Sequence, residues 1–413
     1  MKILFLAHRV PYPPDKGERI RAYHEIETLA SEHEIDLFAL GTAGSDVDSY
    51  APLRSLCRRV NLALPGKVET LIGAARALAR HDPLSFAFFA CQQLRRQVQQ
   101  ALSRENYDAI FVYCSAMMQY VPDPAPCPII LDFVDCDSAK WAQYASRSPY
   151  PTSLLYRREA RYLSRREQEF MSRAARSIVV SAKEKKQLSA AGNGSDKIKV
   201  IGIGANRSNS PLQPETEITK LGQYILFMGQ MDYLPNVDAV SYFTDQVWPL
   251  VRERHPALKF VIAGRNPSRL VRQLARIPGV VVTGTVPDIH MYLRGAKAVV
   301  APFRISQGVH TKILEALAEG VPVVCSLQAS VGLPENVRQA VAVRDGAAPF
   351  AAAVCSFLED AVFRAAFVRH CESLRDDLRW ERVLQPMRDL LRELEATRHS
   401  TDATSPLLTQ AGR

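Results

Sequence analysis

The sequence lacks the marks of several protein classes. None of its eight cysteines forms a CxxC pair or stands at a spacing typical of a zinc site, so neither a metal cluster nor a disulfide framework is expected. No apolar run reaches the length of a membrane span, and the first one, Ile3 to Ala7, is also too short for a signal-peptide core. These absences predict a cytoplasmic protein.

What is present is typical of a globular protein with more than one domain. The chain has 413 residues, 47% of them hydrophobic, which is too long for one ordinary core. Most of the formal net charge of +9 lies in the first half. Such a charge suits polyanions, anionic lipid surfaces or phosphorylated substrates, and composition does not choose among them.

Short apolar runs alternate with longer helical patterns along the chain. Near-continuous apolar strands between helices are typical of a parallel sheet covered on both faces. We therefore predict an α/β fold of two Rossmann-like, doubly wound domains that face each other across a cleft, with ligands at the carboxyl ends of the strands. The predicted strands are Ile3–Ala7, Ile35–Leu40, Val60–Leu64, Ala109–Tyr113, Ile129–Val134, Ile178–Ser181, Lys199–Ile203, Tyr224–Met228, Phe260–Ala263, Val280–Thr283, Ala298–Ala301, Val321–Cys325 and Ala340–Val343.

A polar stretch with two prolines and almost no apolar periodicity separates the two series of strands. One last helical pattern, with a proline near its middle, follows the second series, and the polar tail after it is predicted to be disordered. The predicted units are a first domain at 1–205, a linker at 206–222, a second domain at 223–380, a final helix at 381–397 and a tail at 398–413.

The segment QGVHTKILEALAEGVPVVCS is the strongest candidate for chemistry. It parses as a loop, a helix closed by Gly320 and a strand. Gly308 lets a ligand approach the backbone, and the free N–H groups of the following helix attract a diphosphate whose charge Lys312 can neutralise. Glu315, about one turn further on, can accept hydrogen bonds from the hydroxyls of a ribose. Taken alone, the pattern is equally consistent with a common glycine turn followed by a helix on which Glu315 is solvated.

A resemblance decides between these readings. Lys312, Leu314, Glu315, Gly320 and Pro322 match a motif K-x-L-E-A-x-A-x-G-x-P-V-V, and the segment resembles the signature of retaining GT-B glycosyltransferases of family 4. The resemblance extends over roughly residues 1 to 395, because PYPPDKGERIRAYH, ILFMGQMDYLPNVDA and the late Trp-Glu pair resemble the first-domain glycine loop, the second-domain opening and the helix that crosses back to the first domain. The segments DFVDCDSAKW and MDYLPNVDA most resemble those of the sugar transferases of exosortase/PEP-CTERM exopolysaccharide systems.

The resemblance implies a donor site in the second domain, without a metal or cofactor. One position departs from it: the family often has Glu eight residues before the ribose Glu, and this chain has Gln307, which supplies no negative charge. The donor-binding candidates are Gly17, Gly229, Gln230, Gly264, Arg265, Val286, Asp288, Gln307, Gly308, Val309, His310, Thr311, Lys312 and Glu315.

The first domain supplies the acceptor candidates. The loop PPDKGERIR follows the first strand and carries Lys16 and Arg19 beside Gly17. Asp135 and Asp137 follow a strand and form a DxD, the metal motif of another glycosyltransferase fold, but a helix dipole already supplies positive potential here, so no metal is expected. Either aspartate could orient or deprotonate an acceptor hydroxyl, or both could cap the next helix near Ser138. With Lys312 they are the catalytic candidates.

The stretch Arg157 to Arg176 carries seven Arg against three Glu and fits a long helix. Contact with anionic headgroups of the inner membrane is one reading. A solvated helix with charges paired at i,i+4 spacing is the favoured one. Nucleic acid is not an expected partner, because no recognition fold or stacking aromatics are present.

These features together predict transfer of a sugar from a UDP- or GDP-linked donor to a hydroxyl of a glycan or lipid-linked saccharide, in exopolysaccharide or cell-surface polysaccharide synthesis. The paired carboxylates of a glycosidase cannot be placed in the sequence. Two alternatives stay open: a nucleotide-sugar 2-epimerase of similar architecture, and a catalytically silent nucleotide-sugar-binding subunit, which Gln307 motivates.

Overall fold

The computed structural model describes residues 1–14, 17–41, 50–189, 195–208, 218–306 and 308–403, with only the backbone of Lys67 and residues 398–403. No helix in these ranges is long and apolar enough to cross a bilayer. The cysteines are all free thiols.

The first seven strands form one parallel sheet in the order β3-β2-β1-β4-β5-β6-β7. In the central strands of this sheet the side chains on both faces are buried, because helices cover the two faces, and this explains the continuous apolar runs in the sequence. The strands are β1 Lys2–Ala7, β2 Glu34–Leu40, β3 Arg59–Ala63, β4 Ala109–Tyr113, β5 Ile129–Asp132, β6 Arg176–Val179 and β7 Ile198–Val200.

The first sheet is packed between helices that alternate with its strands, and two 3₁₀ segments, Leu84–Phe89 and Ser115–Tyr120, lie beside it. The helices are α1 Gly17–Ala30, α2 Ala51–Leu56, α3 Lys67–Ala79, α4 Gln92–Arg104, α5 Asp137–Arg147, α6 Thr152–Arg173 and α7 Ala182–Ser189.

The other six strands form a second parallel sheet in the order β10-β9-β8-β11-β12-β13, around a separate hydrophobic core. They are β8 Tyr224–Met228, β9 Lys259–Ala263, β10 Val280–Gly284, β11 Val299–Ala301, β12 Val323–Cys325 and β13 Ala342–Val343. Every strand predicted from the sequence is therefore present, with ends shifted by a few residues.

The helices of the second half surround this sheet until the last two leave it. They are α8 Leu234–Tyr242, which continues through a π turn at Phe243–Val247, α9 Trp248–Arg254, α10 Arg269–Leu274, α11 Ile289–Gly295, α12 Thr311–Ala318, α13 Leu327–Ser330, α14 Glu335–Gln339, α15 Ala347–Glu359, α16 Ala361–Leu378, α17 Trp380–Val383 and α18 Gln385–Ala403.

The predicted α/β fold of two doubly wound domains is confirmed, and so is the helix that crosses back. Trp380, Met387 and Leu391 are buried in the core of the first domain although they follow the second in sequence. Pro386 lies in the first turn of α18, where its missing N–H costs no hydrogen bond.

Some of the predicted boundaries between units fall outside the described residues. The helix α18 spans Gln385–Ala403, whereas the sequence placed the final helix at 381–397 and the tail at 398–413, and residues 404–413 lie outside the described part. The middle of the predicted linker, residues 209–217, also lies outside it. The exact domain boundaries stay a prediction.

The strand orders define where ligands are expected. In the first sheet the order reverses between β1 and β4, and in the second between β8 and β11. Crevices open at the carboxyl ends of strands at such reversals.

Candidate active site

The loop before α12 comes from the second sheet and meets the first domain. Gly308 has φ +67°, a conformation that glycine adopts without steric cost, and a Cβ placed there would overlap Oδ1 of Asp135. On the other side of the cleft, a Cβ on Gly17 would lie 3.7 Å from Cγ2 of Thr311. The two glycine-containing loops that the sequence singled out thus lie against opposite domains of the same cleft.

His310 organises the start of α12. Its Nε2 lies 2.8 Å from Oγ of Ser306, and its ring stacks on Phe303 with 4.1 Å between centroids. Burial, together with the nearby charge of Lys312, lowers the pKa of His310 to about 3, so the ring is neutral at physiological pH. This arrangement fixes the loop at the N-terminus of α12, where the helix dipole is positive.

Lys312 is half-buried in a preformed recess. Its Nζ donates to Oδ1 of Asn236 (2.8 Å) and lies 4.3 and 4.7 Å from the ring centroids of Phe227 and Phe303. Burial lowers the pKa of Lys312 to about 7, against the opposing effect of Glu315. An anion bound beside it would stabilise its charged form.

Glu315 lies one turn further along the same helix. Its pKa is raised by burial, and His290 and Lys312 oppose that rise. His290 is engaged with Glu319 (3.1 Å), and among the described residues the Glu315 carboxylate has no hydrogen-bond partner. A half-buried acceptor that is not already paired suits the hydroxyl groups of a ligand.

The loops after β8 and β9 pack closely against each other beside Lys312. A Cβ on Gly264 would overlap the backbone of Gly229, and one on Gly229 would lie 2.9 Å from Nζ of Lys312. Both glycines also have positive φ, so a side chain at either position is disfavoured by the backbone conformation as well as by the lack of space. Only glycine backbone fits between these loops and the lysine.

The other described second-domain candidates are held by hydrogen bonds and packing within their own domain. The carbonyl of Gln230 accepts from Nδ2 of Asn236 (2.8 Å), and that of Arg265 accepts from the N–H of Met231 (2.8 Å). Val286 is half-buried against the second core, and Asp288 caps α11 by accepting from the N–H of His290 (2.8 Å). Gln307 and Lys16, both sequence candidates, lie outside the described residues.

In the first domain, the backbone is strained where the strands β4 and β5 end. Cys114 has φ +81° and Val134, a β-branched residue, has φ +64°. The N–H of Val134 donates to Oδ1 of the buried Asp132 (2.7 Å), which holds this conformation. Such strain clusters at functional sites, and here it aims the next residue, Asp135, at Gly308.

Asp135 and Asp137 do not cap α5. Glu167 accepts from the N–H of Ser138 (2.9 Å), and Glu184 accepts from that of Cys136 (3.4 Å). The aspartates are therefore left for other roles, and the capping alternative raised by the sequence is not what the structure has.

Asp135 and Asp137 both interact electrostatically with Lys140. Asp137 forms an ion pair with Lys140, three residues on, and Asp135 acts on the same ammonium through space. Burial raises the pKa of Asp135, while Lys140 opposes the rise. A carboxylate with a raised pKa is suited to accept a proton from a hydroxyl.

Two ionisable residues of the cleft were missed in the sequence. Glu184 is buried, and a Cβ on Gly308 would lie 3.9 Å from its Oε1; burial and Asp135 raise its pKa to about 7. Its signal was Ser181 three residues earlier, a capping-box pair directly after a strand: the N–H of Glu184 donates to Oγ of Ser181 (3.3 Å).

His8 is the second. It follows β1, stacks on Tyr113 with 5.7 Å between centroids, and has a buried Nδ1 without a partner among the described residues. Burial lowers its pKa to about 4. The feature of the sequence that could have identified His8 is its position as a polar residue directly after the first strand.

Arg21, in the basic segment PPDKGERIR, is engaged within the first domain. Arg21 is buried, and its Nη2 donates to Oδ2 of Asp132 (2.7 Å) while its Nε lies 2.8 Å from Oε1 of Glu25. Arg19 is half-buried. Arg21 therefore joins α1 to β5 and contributes no free charge to a ligand.

These two facing domains and the cleft between them define the GT-B fold. Residues 222–360 match the family model described as Glycosyl transferases group 1, and no curated protein matches the chain. The chain is a glycosyltransferase of GT-B fold.

Solved structures support the fold over the whole chain. Anabaena Alr3699/HepE in complex with UDP and glucose has a TM-score of 0.64 at 16% identity, covering 95% of this chain and 99% of that one. Sucrose-phosphate synthase from Thermosynechococcus elongatus has a TM-score of 0.70 at 17% identity, with 96% and 100% covered. WaaG, a glycosyltransferase involved in lipopolysaccharide biosynthesis, has a TM-score of 0.66 at 14% identity, with 94% and 98% covered.

Proposed function

We propose that the protein is a retaining glycosyltransferase of family 4 type that moves a sugar from a UDP- or GDP-linked donor to a glycan or lipid-linked saccharide hydroxyl. The observation that carries the proposal is the meeting of the Gly308 loop with Asp135 across the cleft. That contact brings a cationic helix terminus and a carboxylate to the same space. Retention at the anomeric carbon is what the family resemblance implies.

The donor would lie on the second domain. Its diphosphate would accept from the N–H groups at the start of α12 and from Lys312, and Glu315 would accept from the ribose hydroxyls. UDP is the first nucleotide to test, because Alr3699/HepE is described with UDP, with UDP and glucose, and with UDP-glucose.

The chemical step needs stabilisation of the leaving diphosphate. The dipole of α12 and Lys312 would act on that developing charge within a closed cleft from which water is excluded. On the other side Asp135, with Asp137 beside it, would orient the acceptor hydroxyl and take up its proton. No metal or covalent nucleophile enters this scheme.

We assign the reaction to exopolysaccharide or cell-surface polysaccharide synthesis because the sequence resembles the exosortase-associated transferases. A growing glycan on a lipid carrier is the acceptor we favour. The enzyme would then work in the cytoplasm, peripherally on the inner membrane.

The test begins with a panel of UDP-, GDP- and TDP-sugars in thermal shift, since a ligand at about 100 times its dissociation constant stabilises by roughly 2.7 kcal/mol. Release of UDP or GDP is then measured with lipid extracts that contain saccharide acceptors. A sugar nucleotide altered without acceptor would instead favour a 2-epimerase, and binding without release would favour a silent subunit.

The role of Glu315 is tested by Glu315→Gln. Loss of a charged hydrogen bond to the ribose should weaken donor affinity by about 1 to 3 kcal/mol, measured by calorimetry. Glu335→Gln is the matched control, because Glu335 lies exposed on α14 and pairs only with groups of that helix among the described residues. Equal affinities in the two variants would contradict the ribose assignment.

A further inference from the structure

The outward face of α3 is apolar. Val68 and Leu71 are 68% and 71% exposed, and Ile72 and Leu78 are also exposed. Val68, Leu71, Ile72 and Ala75 follow the i, i+3, i+4, i+7 spacing that normally faces a core. Here that stripe faces solvent, while the small residues Gly73 and Ala77 face the protein.

The helix is held in this orientation by its neighbours. A Cβ on Gly73 would lie 3.2 Å from Cβ of Ala87 in the 3₁₀ segment Leu84–Phe89, and Nη2 of Arg158 on α6 donates to the carbonyl of Ala77 (3.2 Å). Glu159 accepts from the N–H groups of Leu84 (2.9 Å) and Ser85 (2.7 Å). The three elements form one platform, so the exposed stripe is not a side effect of a loose helix.

The neighbours extend the apolar face. Phe88 of the 3₁₀ segment is 66% exposed, and Leu154 and Leu155 at the start of α6 are exposed as well. We call the set formed by Val68, Leu71, Ile72, Leu78, Phe88, Leu154 and Leu155 the α3 surface. Contiguous apolar faces of this kind on a protein surface mark an interaction site.

The flanking charges select the partner. Arg76 on α3 and Arg80, directly after it, are exposed, and Arg157, Arg161 and Arg165 are exposed at i,i+4 intervals along α6. The nearby acids are already engaged: Nε of Arg166 donates to Oδ1 of Asp82 (2.9 Å), and Glu159 is buried as described. An apolar helix face flanked by unopposed arginines complements an anionic lipid surface.

We propose that the α3 surface docks the protein on an anionic phospholipid bilayer, with α3 lying in the headgroup plane and the arginines on lipid phosphates. A second copy of the chain would bring the two sets of arginines toward each other, so self-association is disfavoured by charge. This assigns the membrane contact to α3 and its flanks, whereas the sequence raised such a contact only for the arginine-rich stretch of α6, where a solvated helix was the favoured interpretation.

The platform also lies beside the cleft. Phe89, next to Phe88, packs edge-on against the ring of His8 at the end of β1, with 5.5 Å between centroids. A bilayer on the α3 surface would therefore lie near the acceptor side of the site. This step rests on the proposed function, and it narrows the acceptor to a saccharide whose lipid stays in the membrane.

The test is co-sedimentation of the full chain with vesicles of phosphatidylethanolamine and phosphatidylglycerol in a ratio of about three to one, against vesicles of phosphatidylcholine alone. We expect binding to the anionic vesicles that falls as salt is raised. Leu71→Gln/Ile72→Gln should weaken it about tenfold or more with little change in the melting temperature, because Leu71 is largely exposed and Ile72 is about half exposed.

Val362→Gln is the control, since Val362 is 78% exposed on α16 of the second domain. Equal vesicle binding by the double variant and this control would overturn the proposal. So would a concentration-dependent dimer in light scattering that the double variant abolishes while vesicle binding stays absent. Binding of UDP-sugars is measured in parallel: its failure bears on the proposed function, whereas failure of vesicle binding alone bears only on the docking.

Discussion

Lys312 illustrates how a residue's surroundings prepare it for an anion. Two aromatic rings and Asn236 hold the ammonium in place, and burial brings its pKa down to about 7. The ammonium group therefore titrates near neutral pH when no anion is bound. A bound diphosphate would restore the full charge, because an opposite charge nearby favours the protonated form.

This coupling predicts a pH dependence of donor binding. The donor prefers protonated Lys312, so affinity for UDP-glucose should be constant well below pH 7 and fall as the pH rises through about 7, by up to about tenfold per unit. Binding near pH 8 should take up protons, which calorimetry in buffers of different ionisation enthalpy detects.

Other groups near the loop titrate in the same range. Glu184, with a pKa of about 7, gains negative charge as the pH rises and would weaken anion binding in the same direction. Lys312→Met separates the two contributions. Its affinity should be lower at pH 6 and depend less on pH, and an unaltered proton uptake in this variant would assign the effect to Glu184 instead.

Gly308 supports a second prediction at the residue scale. Gly308→Ala adds a methyl group that overlaps Asp135 and forces a non-glycine residue to a positive φ, a backbone cost of about 1 to 2 kcal/mol. Gly320→Ala is a matched control, because Gly320 ends the same helix with φ +77° and has open space around its Cβ position. Gly308→Ala should lose at least as much stability in urea unfolding as Gly320→Ala, and only Gly308→Ala should lose transfer activity. Equal loss of activity would show that the contact with Asp135 is not needed.

At the scale of elements, Arg21 connects three parts of the first domain. Its guanidinium reaches Asp132 at the end of β5, Glu25 on its own helix and the carbonyl of Gly202 after β7. The helix that starts at Gly17 and the strand that leads to Asp135 are joined by this one side chain. Burial raises the pKa of Glu25, so the cluster holds fewer full charges than its formula suggests.

Removal of this side chain should be costly. Arg21→Met leaves Asp132 buried without its cation, and we expect a loss of about 3 to 5 kcal/mol in the free energy of unfolding, followed by urea. The double variant Arg21→Met/Asp132→Asn should recover part of that loss, because Asp132 is then no longer a buried charge without its cation. A double variant no more stable than the single one would mean that packing, rather than charge, gives Arg21 its importance.

The elements also mark how far sequence reasoning reaches. The strands were predictable because burial on both faces leaves continuous apolar runs, and α12 was predictable from its glycines and its apolar stripe. The partners of Lys312 were not, because Asn236 is 76 positions away in sequence and meets it only through the order of the sheet. The direction of the α3 stripe was equally hidden, since periodicity shows that a face is apolar but not whether it is covered.

At the scale of the whole molecule, the candidate site is divided between the domains. Asp135 and Gly17 belong to one, Gly308 and Thr311 to the other, and Oη of Tyr144 donates across the cleft to Oη of Tyr233 (3.2 Å). Neither half carries both the proposed donor groups and the proposed acceptor groups. The relative position of the domains therefore governs the chemistry, and that position depends on the two chain segments that cross between them.

Those segments meet at Trp380. Its ring stacks on His24 of α1 with 4.7 Å between centroids, and the N–H of Ala205 donates to the carbonyl of Leu378 (2.7 Å). On its other side the indole leaves no room for a side chain at position 204, because a Cβ on Gly204 would lie 2.7 Å from its Cδ2. The tryptophan thus wedges the outgoing and returning segments against the first domain.

A double-mutant cycle tests this wedge. Trp380→Ala should lower the free energy of unfolding of the first domain by about 3 to 5 kcal/mol, because Trp380 belongs to that core and leaves a cavity there. Gly204→Ala alone should destabilise through its clash with the indole, whereas in the Trp380→Ala background the same methyl meets the cavity and should cost much less. Coupling of about 1 kcal/mol or more between the two positions is the expected result, from hydrogen exchange at β1 and β5 with β8 as the reference. Additive effects would mean that glycine is required at position 204 for reasons other than Trp380. The contacts that hold the two crossing segments on the first domain would then lie elsewhere along these segments.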